Sequence, residues 1–412
     1  MNLNYTKDFQ KPQKAFLLTK FLAYSQFAFA SFLINVYFWR ITEDVSFLVL
    51  FNIIFYLFHA LTYIPAGKVC KEWNRFIPLR IGAILQIVYL VAILIAKERI
   101  TEFVIPIAII GGIAHGAYWS SDNLLKFDLT SPDNRFKFLA VGETLKNVAG
   151  LFMPLIASII VIIDGGVFSS YSRVFLLAIF FSILVLVSSL FISSNKKFKS
   201  DQYDLWRVSK KLLGNKNIRI ACFVNMFRYI ADCLTVLLGL LLYFSSGTEL
   251  SLGGYQFVTV LIVILAAYLS GSIVKRKNYR PLLIYGGLIE FLLIFILFIS
   301  QSYVAIFVYG ILSSLITFTS YPLYPLTLDA LNMCSKDQKE CVNIRVEYIT
   351  LQELFVGAGY IIGFLILLLV HYSMSPIIIG ITAVILALTS LLARIYITKI
   401  KDNKFVAIDG MN

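Results

Sequence analysis

Charge is what this chain has least of. Asp, Glu, Lys and Arg make up 14 % of its 412 residues, against about 25 % in an ordinary soluble domain. With 59 % of residues apolar, a water-soluble fold is excluded. Proline is scarce, ten in all, so long stretches are free to run as unbroken helices. The sequence has no phosphate-cradling Gly-Lys-Ser/Thr loop, no His-x-x-x-His pair and no nucleophile motif. An enzyme, a cofactor and ATP as the direct energy source therefore find no carrier. The five cysteines, Cys70, Cys222, Cys233, Cys334 and Cys341, fall in helices or on one side of the membrane, so disulfides are not expected. Cys334 and Cys341 lack the second pair or histidine that a metal site needs.

What is there is apolar sequence in twelve stretches of about 20 residues, the length that crosses a ~30 Å hydrocarbon core. They fall near 15–40, 45–66, 78–96, 102–125, 138–163, 172–194, 217–244, 252–274, 281–300, 303–327, 343–370 and 375–398. The first is too long for a signal-peptide core and has no cleavage site after it. Lipid offers backbone groups no partners, and the alternation of a barrel strand is absent, so each stretch is expected to be a helix. The expected fold is an all-α integral membrane protein with no soluble catalytic domain.

The net charge of +13 raises the question of a nucleic-acid partner, and the placement of the charge answers it. With the N-terminus inside, only Arg40, Lys97, Arg99 and Arg173 of the basic residues lie outside, and Lys146 and Arg228 lie within spans. The rest, Lys20 and Arg394 among them, fall in or beside cytoplasmic segments. By the positive-inside rule both termini are cytoplasmic, and no nucleic acid is needed. The plasma membrane is the expected location.

The longest polar interruption, 195–216, divides the spans six and six, giving bundles over 1–194 and 217–412 joined by a basic linker. A single offset of 204 aligns the halves: Gly67, Lys71, Asn74 and Gly82 match Gly271, Lys275, Asn278 and Gly286. Glu143 matches Glu347, and Gln86 matches Glu290. Two homologous six-helix bundles follow.

This layout resembles the major facilitator superfamily, and the basic loop after the second span of each half, Gly67 to Arg75 and Gly271 to Asn278, carries the resemblance most specifically. Lysine (Lys71, Lys275) stands where the family has an acid, and asparagine (Asn74, Asn278) stands where it has a second glycine, a residue expected to take positive φ there. The stretches Asn35 to Arg40, Tyr118-Trp119 and Phe127 to Arg135 resemble a little-characterised bacterial branch, the YqgE-like transporters. The resemblance implies two pseudo-symmetric six-helix bundles around a central path lined by spans one, four, seven and ten.

Ionisable groups inside spans cost at least ~2.5–3.5 kcal/mol each, so they mark sites or partners. On span seven, Asn225, Arg228, Asp232 and Thr235 form one stripe, either a self-neutralised Arg228–Asp232 pair or a substrate and proton site. On span four, His115, Trp119 and Asp122 recur at helical spacing, and a histidine there is either packed and satisfied or a proton carrier. His59 reads as structural. Tyr24 on span one, Tyr324 on span ten and Glu353 on span eleven complete the candidate binding set. Glu143 and Lys146 can pair on their own helix. The resemblance also implies that span two packs near eleven and eight near five, so Lys71 would meet Glu347 and Lys275 would meet Glu143, a symmetric cytoplasmic gate.

The sequence thus reads as a proton-coupled secondary transporter, with export of a small organic or amphipathic molecule favoured by the small residues and proline of span five. An uptake symporter, a flippase for a lipid-linked precursor and a non-transporting sensor are the alternatives. Protons and membrane lipid are the expected partners besides the substrate, and a monomer suffices.

Overall fold

The computed structural model describes residues 9–400 apart from 131, 164–166, 193–201, 271–273, 275–277, 324–325, 328–329, 331–341 and 373–374. Among the described residues there is no strand, and twelve helices are long and apolar enough to cross a membrane. The first half comprises α1 (Lys11–Thr42), α2 (Val45–Glu72), α3 (Phe76–Ala96), a 3-10 turn (Lys97–Thr101), α4 (Val104–Asp128), α5 (Pro132–Ile163) and α6 (Val167–Leu190). A short α7 (Leu205–Gly214) leads into α8 (Lys216–Ser246), α9 (Glu249–Ser270), α10 (Tyr279–Leu293), α11 (Phe295–Ile299) and α12 (Tyr303–Ile316). A 3-10 turn (Thr317–Ser320), α13 (Arg345–Tyr372) and α14 (Pro376–Ile397) follow.

Local chemistry sets the ends of these helices. The Asp44 carboxylate accepts the Ser46 N–H at 2.8 Å to start α2, and the Asn215 side chain accepts from Asn217 and Ile218 to start α8. Such caps satisfy donors the first turn cannot. Gly247, at φ 68°, stops α8 in the left-handed region where glycine meets no Cβ penalty. The second helix of each half begins at Val45 and Glu249, 204 residues apart, which repeats the sequence offset in the backbone.

In the first half α1 packs on α5 and α6, α2 on α4, and α3 on α4 and α6; in the second, α8 packs on α13 and α14, α9 on α12, and α10 on α14. The halves meet where α2 lies against α13 and α5 against α9. Large apolar side chains such as Ile95, Ile163, Leu190 and Ile299 point outward, a surface suited to lipid and ruinous in water.

Several expected details change. Helix α2 runs on through Pro65 to Glu72, which puts Lys71 on a helix rather than in a loop. The tenth span is α-helical only to Ile316 before tightening to 3-10. Neither asparagine of the repeated loop takes positive φ: Asn278 sits at −99°, and Asn74 instead uses its side chain to accept the Phe76 N–H at 2.8 Å where α3 begins. That is an Asx turn, which needs no left-handed residue.

Candidate functional site

The polar side chains gather where α1, α2, α4, α8 and α13 face one another. A Cβ on Gly116 of α4 would collide with the His59 carbonyl, so α4 lies flat on α2 only because none is there. That approach brings His115 onto His59, Nδ1 to Nδ1 at 3.0 Å.

An indole N–H can only donate, so the 2.8 Å contact from Trp119 Nε1 makes His115 Nε2 an acceptor. With both imidazoles neutral, His115 then holds its proton on Nδ1 and donates it to His59 Nδ1, and His59 carries its own on Nε2. That Nε2 faces Glu353 Oε2 of α13 at 3.6 Å. The second Glu353 oxygen accepts from Asn123 Nδ2 at 3.3 Å, and Asn123 Oδ1 accepts from Lys126 at 3.0 Å. Trp119, His115, His59, Glu353, Asn123 and Lys126 thus form one polar chain that crosses between the bundles. His59, read from the sequence as structural, is with Asn123 one of two residues that join this chain to Glu353 of the other half, and only its neighbours on other helices reveal it.

Beside this chain, Asp122 is fully buried with Lys126 at 2.6 Å and Lys20 at 3.9 Å. Lys20, counted among flanking cytoplasmic cations from the sequence, is buried inside the bundle. Tyr24 and Phe27 bring their rings to within 5.4 and 5.5 Å of the Trp119 ring, centroid to centroid.

On α8 the expected stripe forms a common face, but its two charges do not pair. Asp232 accepts from the Tyr360 hydroxyl at 2.8 Å, and Tyr360 stacks on Tyr56 of α2 at 3.7 Å. Arg228 instead lies over the Tyr229 ring at 5.6 Å. Asn225 is half-buried one turn away. The self-neutralised pair is therefore corrected: among the described residues, Arg228 and Asp232 form no ion pair.

Ion pairs also cross between the bundles at both ends. On the side of the linker, Lys71 meets Glu347 at 2.5 Å with both side chains buried. The Asp204 N–H adds a second donor to Glu347 at 3.4 Å, and the Tyr203 N–H binds Glu72 at 3.0 Å. Burial pushes the Tyr203 hydroxyl up to about 12. On the opposite side, Arg40 meets Glu249 at 2.7 Å, Tyr171 donates to the same oxygen at 2.9 Å, and His371 lies 3.0 Å from Asp44. Burial works to raise the Asp44 pKa, but the Ser46 hydroxyl and N–H and the facing His371 bring it below the ordinary carboxylate value. Glu143 sits half exposed at 3.5 Å from Lys146 on its own helix; Lys275 and Tyr324 lie outside the described residues.

A sequence profile of the Major Facilitator Superfamily matches residues 16–330. The chain belongs to the major facilitator superfamily. Within it, the chain is similar to the uncharacterized protein YqgE of Bacillus subtilis (strain 168), 26 % identical over 363 residues that cover 86 % of this chain and 82 % of that one. The superfamily fold is shared with the solved nucleoside transporter NupG (TM-score 0.70, 12 % identity, 94 % of this chain and 99 % of that one). It is shared too with the Escherichia coli fucose:proton symporter (TM-score 0.64, 14 % identity, 94 % and 98 %). As a member of the superfamily this is a multi-pass membrane protein built for secondary transport.

Proposed function

We propose that the protein is a proton-coupled exporter of a small organic or amphipathic molecule, working as a monomer by alternating access across the plasma membrane with both termini cytoplasmic. Its units are the bundles 1–194 and 217–412 and the linker 195–216. The observation that carries this reading is the His115–His59–Glu353 chain, which joins a titratable pair on one bundle to a carboxylate on the other. A proton gained by Glu353 removes the charge facing His59 and loosens the contact between bundles; its loss restores it. Because His115 Nε2 accepts from Trp119, His115 positions His59 against Glu353. Asp232, tied to Tyr360 and through it to Tyr56, is a second carboxylate at the same interface.

Lys71 and Glu347 serve as the cytoplasmic gate, with Lys275 and Glu143 as its symmetric counterpart when the bundles rock. Arg40 with Glu249 and Asp44 with His371 close the other side.

The test is untargeted comparison of intracellular and medium metabolites in cells expressing the wild type, Glu353→Gln, Asp232→Asn and Arg228→Ala. A species driven outward by the wild type and not by the variants supports export. Inward movement with the same dependence makes the protein an uptake symporter. No charge-dependent movement removes the transport reading and turns attention to lipid or to a sensing role.

A further inference from the structure

Deepening that reading, we infer that Lys20 and Lys126, held apart by Asp122, form the subsite for an anionic group on the transported molecule, and that Tyr24, Phe27 and Trp119 wall its aromatic or apolar part. The substrate class is a small organic anion bearing a carboxylate or phosphate.

The charges are the first reason. Lys146 pairs with the half-exposed Glu143, which leaves Lys20 and Lys126 on the single Asp122 carboxylate; the next acid, Glu353, is reached from Lys126 through Asn123. Lys20 and Asp122 are buried, where an excess charge is costly. Both lysine ammonium groups meet Asp122 at Oδ2, Lys126 at 2.6 Å and Lys20 at 3.9 Å, and the buried Oδ1 has no hydrogen-bond partner. A carboxylate held only by flexible lysine ends is replaceable by another carboxylate or by a phosphate oxygen.

The aromatic wall is the second. Lys20 and Lys146 lie 5.6 and 5.9 Å from the Tyr24 ring centre and Lys126 5.8 Å from that of Trp119. The cations therefore border aromatic faces as well as Asp122, which fits a ligand whose charged and apolar ends are adjacent.

The other half of the protein supplies the third. At the 204 offset, Lys20, Asp122 and Lys126 correspond to Val224, Leu326 and Ala330. Val224 and Leu326 belong to a plain apolar cluster, and Ala330 is buried. The second half packs these positions without charge, on a span that leaves the α-helix after Ile316 where α4 runs unbroken to Asp128.

Lys126 also donates to Asn123, which donates to Glu353. An anion that draws Lys126 away from Asn123 removes one support of the contact that Asn123 makes with Glu353, which links the subsite to the carboxylate of the other bundle.

The experiment is equilibrium binding on the purified full chain, which does not require transport. With Trp39, Trp73 and Trp206 replaced by Phe, Trp119 is the single tryptophan, read by excitation at the red edge where tyrosine does not absorb. Benzoate and phenyl phosphate are expected to change its emission saturably, and benzylamine, a cation of similar size, is not. Lys20→Met and Lys126→Met should each weaken anion binding tenfold or more, Lys126→Arg should retain it, and Asp122→Asn, which removes the internal competitor, should tighten it several-fold. Size-exclusion elution and melting of each variant separate lost binding from lost folding. An equal response to benzylamine, no saturable response to either anion, or anion binding that survives the lysine substitutions in folded protein overturns the proposal. Binding as expected with no transported species would instead remove the exporter reading and leave the subsite standing.

Discussion

At matching positions the two bundles make opposite choices. The first places Lys20, Asp122 and Lys126 where the second places Val224, Leu326 and Ala330. The second buries Arg394 against Glu290 and Thr319, where the first has Leu190, Gln86 and His115. The Lys20–Asp122–Lys126 group lies centrally, beside the aromatic wall and Glu353; the Arg394 group lies between α10 and α14, apart from the central charges Asp232 and Glu353 of its own half. Charge that differs between matched positions of the two halves is not a requirement of the sequence repeat. The Arg394 group tethers outer helices of its own bundle, whereas the Lys126 chain reaches Glu353 across the interface, so the former reads as stability and the latter as function.

The comparison can be broken most directly by exchanging its residues. Asp122→Leu alone leaves two lysines without their carboxylate and should cost about 3–5 kcal/mol, read as a large drop in melting temperature. The triple change Lys20→Val, Asp122→Leu and Lys126→Ala imports the second bundle's solution and should recover most of that loss while abolishing anion binding. A triple variant no more stable than the single one would break the equivalence of the halves. Arg394→Met should also lower stability, by about 1–3 kcal/mol as Glu290 loses its partner and keeps some access to water, yet change the rate of transport per folded molecule less than twofold. Loss of transport in well-folded Arg394→Met would move function into the peripheral cluster.

The gate sharpens the comparison further. Lys71→Glu should reduce transport tenfold or more by setting two buried acids against each other, and Lys71→Glu with Glu347→Lys should restore at least a third of it; no rescue removes the gating role. The smallest effect belongs to Asp44, about a third exposed and therefore screened. Asp44→Asn should cost under about 1 kcal/mol at pH 7. Because folding lowers the Asp44 pKa, its contribution is whole above the unfolded value of about 3.9 and fades as pH falls through the lower folded one. The wild type and Asp44→Asn melting temperatures should accordingly converge below pH 4.

Much of the fold was legible in sequence. Span number and the offset of 204 followed from apolar length and four matched residues, and the meeting of Lys71 with Glu347 followed from a charge reversal read together with a family resemblance. The site was legible only in part. His115, Trp119, Asp122 and Glu353 stood out as polar groups on apolar helices, yet Lys20 looked like a flanking charge because it lies only ten residues inside α1. His59 looked like packing because its partners, His115 and Glu353, lie on two other helices. Arg228 and Asp232 looked like a pair because their spacing allows it, but the Tyr360 hydroxyl takes the carboxylate.

The sequence by itself determined the solvent of this protein, its helices and its twofold internal repeat, since each depends on local composition: apolar length, caps and recurrence. Only the tertiary structure decided which charges meet. An ion pair or proton chain in a membrane joins side chains from different helices, and its partners are set by how closely those helices pack, here by a missing Cβ at Gly116, and not by distance along the chain.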